Sequence, residues 1–327
     1  MIQKRFLSGA LTAIALIANC ISAQAQTTLT LGDIYAANHS NTLADQRFSE
    51  LVKERTNGEV TVEVYSDATL GNERELAEGV IAGSVDIAPS GMSGIGRFFP
   101  ELQVLELPYL YKDLAHMQRV AEVIAPDVQE AFATQGVRNL GFLFLGPRSI
   151  ASKKPINTIA DMEGLRLRVP ESPLYIGFAR TLGAVPTPIP LPEVYSAIEA
   201  GTADAAEGEP ATLSTTKWYE TTKSVSLTKH IWHFRFIPIS AAKFDALTPE
   251  QQGIVSAAAV EAQNYQAGLV DEFNAKALDE MRKANVTIVE TQGLDQFAER
   301  LAKFQDEYAA SLGDKAVALL AKVRSVQ

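Results

Sequence analysis

The residues with the clearest chemical capacity lie in Gly164-Leu165-Arg166-Leu167-Arg168-Val169-Pro170-Glu171-Ser172. Leu165, Leu167 and Val169 alternate with Arg166 and Arg168, the period of a strand with one apolar face and one cationic face. Pro170 has no N–H for a sheet ladder, so the strand should stop there. That places Arg168 at a carboxyl end, where open α/β sheets hold their ligands. A guanidinium offers a fork of donors that matches a carboxylate with two parallel hydrogen bonds. The same pattern also fits an exposed arginine in a surface ion pair, and the residues alone leave both readings open. Arg148 is a second arginine at a strand end, after Gly146-Pro147.

Other reactive chemistry is sparse. The glycine-rich stretch Ser90-Gly91-Met92-Ser93-Gly94-Ile95-Gly96 could turn backbone N–H groups toward a ligand, or simply make a tight loop before a helix. It is neither a Walker loop nor GxGxxG. The four histidines are His39, His116, His230 and His233. His230 and His233 are three apart, which on a strand points them to opposite faces, and no third metal ligand is evident. There is no Gly-x-Ser-x-Gly, and no nucleophile stands beside an evident base. No metal and no cofactor is expected.

The elements that must carry these residues begin after a leader. Lys4 and Arg5 precede an apolar run from Phe6 to Ser22, and Ala23-Gln24-Ala25 has the small-x-small form of a secretory cleavage site. Residues 1–25 read as a signal peptide, and the mature chain is expected to insert into no membrane. The sequence has a single cysteine, Cys20, inside that leader. Asn19 before it is a poor fit to a lipoprotein site. The mature chain then has no disulfide, thiol nucleophile or Cys-ligated metal. The net charge of −10 grows more negative when Lys4 and Arg5 leave, which argues against nucleic acid or an anionic membrane surface as partner. Arginines gathered at an anion site would run against that bulk charge.

Strands are expected over Thr28–Ile34, Val60–Tyr65 and Val85–Ala88, with helices between them, giving a parallel sheet. Phe98 to Tyr111 is dense in apolar and aromatic residues and reads as core. Further strands are expected over Val137–Leu145, Leu165–Val169, Thr202–Ala206, Ser224–Thr228, Ile231–Ile239 and Val286–Glu290. Thr248-Pro249-Glu250-Gln251 has the form of a capping box with proline in the first turn. The helical pattern then runs to about Ala284. Roughly 36 residues at 1.5 Å each span about 54 Å, longer than one small lobe, so this helix should bridge two. Leu294 to Val323 reads as one closing amphipathic helix with Phe297, Leu301, Phe304 and Tyr308 on a stripe.

The whole mature chain resembles the solute-binding proteins of tripartite ATP-independent periplasmic (TRAP) transporters, the DctP family. The resemblance rests on Leu70-Gly71-Asn72-Glu73-Arg74-Glu75, Phe99-Pro100-Glu101, Leu107-Pro108-Tyr109 and Ile159 to Pro170. It continues through Pro186-Thr187-Pro188, Glu193-Val194-Tyr195, Gly201 to Asp204 and Lys217-Trp218-Tyr219-Glu220. It implies an α/β, two-lobed periplasmic binding protein fold with a long helix bridging both lobes and a hinge closing them on a ligand. The implied division is 26–145 plus 234–272 for the first lobe and 146–233 plus 273–327 for the second.

The resemblance assigns the carboxylate clamp to Arg168 and a supporting contact to Arg148, and leaves Arg166 solvated. It places His39 in a loop that often faces ligand. Glu73 could accept from ligand hydroxyls or simply favour a helix dipole. Ser90 and Ser93 could add hydroxyls. Trp232 and His233 lie with Arg235 near the second crossover, where a tryptophan could stack on a sugar or pack in the hinge. Tyr195 and Trp218 read as structural. The family often carries asparagine after the glutamate of the 204–210 loop. Here Gly208 follows Glu207, a departure from that pattern, and Glu207-Gly208 is the candidate for the third polar contact. The expected activity is capture of a small organic acid in the periplasm and its delivery to a membrane permease. A sugar acid (hexuronate or aldonate) is preferred to a C4-dicarboxylate or another hydroxy or keto acid. The alternative classes are a periplasmic enzyme acting on an acidic sugar and a receptor-feeding sensor.

Overall fold

A computed structural model describes residues 26–327. The expected signal peptide and Cys20 lie outside the described residues.

The first lobe begins with β1 (Thr27–Gly32) parallel to β2 (Val60–Tyr65), in register Leu29 to Val62, with the helix Ser40–Arg55 between them. The third strand expected at 85–88 shrinks to single bridges: Ile87 pairs with Leu31 and with Ile239, and Ser90 with Phe236. Pro89 lies between these bridges and cannot donate to a ladder. The 98–111 stretch is core as expected, with Phe99, Leu102, Val104, Leu105, Leu107 and Tyr111 buried.

Two long strands join the lobes. β3 (Val137–Pro147) runs antiparallel to the later strand Trp232–Ser240, with Pro147 opposite Trp232 and Gly146 opposite His233. The register slips between Asn139 and Phe142 and again between Phe144 and Gly146. Amide side chains of the long helix Pro249–Lys283 serve backbone groups along this stretch. Gln263 accepts from Phe142 N–H at 2.7 Å, Gln266 accepts from Phe144 N–H at 2.9 Å, and Asn274 donates to Leu145 O at 2.9 Å. This helix has 35 residues and starts at the expected capping box, where Thr248 and Gln251 satisfy each other. It packs on the helix Ser40–Arg55 in one lobe and on Pro210–Thr215 in the other.

The second lobe holds a mixed six-stranded sheet. β4 (Ser149–Ser152) lies antiparallel to β7 (Ala205–Gly208) and β8 (Ser224–Ser226), while β5 (Arg166–Val169) is parallel to β6 (Val185–Pro188) and β7. β9 is the crossover strand Trp232–Ser240, and β10 (Thr287–Val289) completes the sheet beside β8. β7 starts later than expected and runs further, so Glu207 and Gly208 sit on a strand instead of in a loop.

The chain end also departs from expectation. The single closing helix is two, Leu294–Ser311 and Asp314–Ser325, parted at Gly313, whose φ of 97° lies where side chains are strained. The last helix turns back onto the first lobe instead of staying with the second. It buries Ala316, Leu319, Leu320 and Val323 and packs on the turn Pro100–Glu106 and the helix Leu114–Ala133. Lys322 reaches Asp127 at 2.6 Å.

Candidate functional site

Alternation on β5 separates its two arginines by depth. Arg166 is half exposed and pairs with Asp204 through two contacts of 2.8 Å. Arg168, next to the strand's end, is 2% exposed. Its Nε donates to Ile189 O at 2.8 Å, and its guanidinium carbon lies 5.5 Å from the Trp218 ring centre. Its Nη1 has no hydrogen-bond partner, and no ion pair to it exists among the described residues. Burial lowers its pKa to about 10, with nearby Glu207 opposing the fall and Arg148 adding to it. It is therefore still a cation at neutral pH. A buried ion without a partner costs several kcal/mol, and a bound anion would remove that cost.

Arg148 was expected to share the ligand carboxylate. In the structure it faces two glutamates of its own lobe. Its Nε and Nη2 bond Glu207, the latter at 2.7 Å, and Nη1 donates to Glu209 at 2.8 Å. Glu209 also meets His233 Nδ1 at 2.6 Å, and the other ring nitrogen of His233 is 3.4 Å from Glu106. Burial would raise the Glu207 carboxyl, but Arg148 and His230 hold it down at about 2. Glu209 is held low against burial by Arg148 and His233. Burial opposes the charge on His233, yet Glu209 and Glu106 raise its pKa. Arg148 is thus neutralised within the protein, and Glu207 is its partner instead of a free ligand acceptor. The signal available in the sequence was Glu207-Gly208-Glu209: two acids two residues apart at a strand end share a face.

The first lobe supplies the opposite wall. Asn72 caps the helix Glu73–Ala82, and Glu73 opens it. Glu73 accepts from Gly91 N–H at 2.9 Å and from the Ser93 hydroxyl. The glycine-rich stretch therefore gives that N–H to Glu73 and folds into the short turn Met92–Ile95. Ser90 is buried with its hydroxyl 3.3 Å from Gly91 O, off the cleft wall. His39 is buried too: its Nδ1 accepts from Asn41 N–H at 3.2 Å, and its ring stacks on Tyr35 at 4.1 Å. Burial lowers its pKa to about 4. Tyr35 is the ring that faces the cleft, and behind it Arg235 makes a buried pair with Asp33 at 2.8 Å.

Between the walls lies a cavity of about 50 Å3 whose lining includes Tyr35, Asn72, Glu73, Arg148, Arg168 and His233. Ser93, Arg74 and Glu171 also border it. Of these, Tyr35, Asn72, Arg74 and Glu171 were missed from the sequence. Two expected contacts lie elsewhere. Trp232 lines a separate groove on the far side of the hinge with Asn274 and Leu278. Strand alternation explains this: Pro147 and Trp232 face away, while their neighbours Arg148 and His233 face the cleft. Gly208 is buried beside Trp218 and Leu213 and does not reach the cavity. Among the described residues, no group of three or more His, Cys, Asp or Glu side chains is placed to hold a metal.

Two α/β lobes, hinged on crossover strands and enclosing an unpaired guanidinium, define a periplasmic-type solute-binding protein. The family model of bacterial extracellular solute-binding proteins, family 7 (DctP), matches residues 31–311, and the chain belongs to that family. The 2,3-diketo-L-gulonate-binding periplasmic protein YiaO of Escherichia coli K12 is 32% identical over 299 residues, covering 91% of each chain. A TRAP periplasmic solute-binding protein of Xanthobacter autotrophicus Py2, solved with β-D-galacturonate, superposes with a TM-score of 0.87 at 27% identity over 91% of this chain and 100% of that one. One from Roseobacter denitrificans, solved with β-D-glucuronate, gives 0.85 at 29% over 92% and 100%. The chain is a transport receptor of the TRAP type and not an enzyme.

Proposed function

We propose that the cleft binds a sugar acid carrying one carboxylate, a hexuronate or a related aldonate, and that closed, loaded protein hands it to a TRAP permease in the membrane. The observation that carries this is Arg168: among the described residues, it is the buried cleft arginine that no acid contacts as an ion pair. Arg148 has Glu207 and Glu209, and Arg235 has Asp33. One guanidinium with donors left free calls for one carboxylate. A second carboxylate, as on a C4-dicarboxylate, would meet the Glu73 carboxylate on the facing wall, which already takes Gly91 N–H and the Ser93 hydroxyl and lies 3.5 Å from Arg235. Ligand hydroxyls suit that wall better, where Glu73 accepts, Asn72 offers an amide and Tyr35 offers a ring. Arg148, His233 and Ser93 then shape the floor and sides. The three relatives described above support the class, since each is named or solved with a sugar acid.

The cavity has room for a few waters but not for a pyranose ring, so uptake must part the lobes and closure must follow. Export through the leader at 1–25 would place the protein in the periplasm beside the permease. Calorimetry with D-galacturonate, D-glucuronate and 2,3-diketo-L-gulonate against succinate and malate tests the reading. Binding of a sugar acid at least tenfold tighter than either dicarboxylate is expected; the reverse order would overturn it.

A further inference from the structure

We infer that Trp218 is a positioning residue for the ligand's counter-charge: its indole face holds Arg168 as a cation while leaving the guanidinium's hydrogen bonds free. This rests on the reading of Arg168 as the carboxylate's partner.

A buried arginine is usually kept charged by a carboxylate. At Arg168 that solution would defeat the site, because the resident acid would compete with the incoming one. The structure supplies a different support. The guanidinium carbon stands 5.5 Å from the Trp218 ring centre, and one carbonyl, Ile189 O, takes Nε. An aromatic face attracts a cation through its quadrupole without using up the N–H donors that lie in the guanidinium plane. Nη1 remains unpartnered, and Arg168 lines the cavity. Trp218 is 1% exposed and forms no part of the cavity wall, so it acts through Arg168 and not on the ligand.

The surroundings hold the ring in place. Lys217 takes a left-handed turn, φ 59°, and Trp218 then caps the helix Tyr219–Thr222. Gly208 of β7 lies against the ring edge: a Cβ there would sit 3.4 Å from Trp218 Cζ3 and 3.5 Å from Leu213. A methyl is tolerated at that distance, but a longer side chain would push the indole. The glycine that breaks the expected pattern after Glu207 therefore makes room for the ring that supports Arg168.

Three variants test this: Trp218→Leu, which keeps apolar bulk without a π face; Trp218→Phe, which keeps the face; and Trp232→Phe, which leaves Trp218 as the sole tryptophan. With D-galacturonate and D-glucuronate as probes, Trp218→Leu should weaken binding about tenfold and Trp218→Phe by less than about threefold. Circular dichroism should show both folded. In Trp232→Phe the emission of Trp218 should shift on saturation, because the ligand changes the charge balance over the ring. Equal affinity of Trp218→Leu and wild type, or a Trp218 emission unmoved by a ligand that demonstrably binds, would overturn the inference and leave the sugar-acid reading standing. Equal losses in the Leu and Phe variants would also overturn it, as the mark of packing alone. Wild-type protein that binds no sugar acid would overturn both.

Discussion

Tyr175 donates its hydroxyl to Glu106 across the cleft at 2.9 Å. The two residues belong to different lobes: Tyr175 sits on the helix Pro173–Thr181 beside β5 and β6, and Glu106 ends the turn Pro100–Glu106 that packs on β9. The contact is buried and joins the lobes beside the ligand cavity. Glu106 also accepts from Met92 N–H at 3.0 Å. Tyr175→Phe should keep the fold and weaken the closed form by about 1 kcal/mol, the net worth of such a bond. Calorimetry should then show ligand affinity about fivefold lower, with the melting temperature of the free protein moved much less than the affinity.

Arg168→Met separates binding from stability. Breaking a buried charged pair costs about 2–5 kcal/mol, so affinity for the sugar acid should fall by that amount. The free protein should lose nothing and gain some thermal stability, because an unpaired buried ion is replaced by an apolar chain of similar length. Paired melting curves with and without ligand check both halves. A destabilised free protein that still binds as wild type would reject the clamp.

Acid sensitivity should come in part from His39. Its folded pKa is lowered to about 4 from 6.5, so below pH 6.5 the unfolded chain binds a proton that the folded one refuses. Stability is therefore lost as pH falls from 6.5 toward 4, by up to about 3 kcal/mol. His230, also lowered by burial, adds to the same limb. Glu106 and Asp45 have carboxyls raised by burial and work in the opposite sense. His233 is raised, so its contribution is complete below pH 6.5 and is lost only as pH rises through its folded value. Comparing wild type with His39→Asn, which keeps an N-cap acceptor, isolates the first term. Denaturant titrations at pH 7 and pH 5 should show a smaller difference in the variant.

Gly313→Ala tests the break near the chain end. With φ 97° and ψ 178°, position 313 lies in a region open essentially to glycine alone. Alanine there should cost about 1–3 kcal/mol in equilibrium unfolding. Ligand affinity should change little, since residue 313 does not line the cavity.

The larger elements could be read from the sequence because each carries a local signal. Thr248 to Gln251 announced the long helix, and alternation around Arg168 announced β5 and its end at Pro170. What stayed hidden were relations that depend on tertiary partners. Arg148 looks like Arg168 in sequence; only the arrival of Glu207 and Glu209 on its face makes it a paired residue. Ser90 and His39 occupy the expected loops and Glu73 the expected first turn of its helix, but whether a side chain lines a cleft or caps a helix depends on a few ångströms of depth. Gly313 carried a turn signal inside an otherwise continuous amphipathic pattern, and the periodicity on both sides masked it.

The return of the final helix to the first lobe has a practical consequence. Gln26 is anchored to Gly58 O at 3.1 Å, and the carbonyl of Gln327 accepts from Arg119 at 2.6 Å, so the first and last described residues ride on the same lobe. Fluorescent proteins fused head and tail would travel together and stay nearly silent while the molecule shuts around its cargo. An optical reporter of uptake needs one of its two dyes grafted internally, on the half that carries β5.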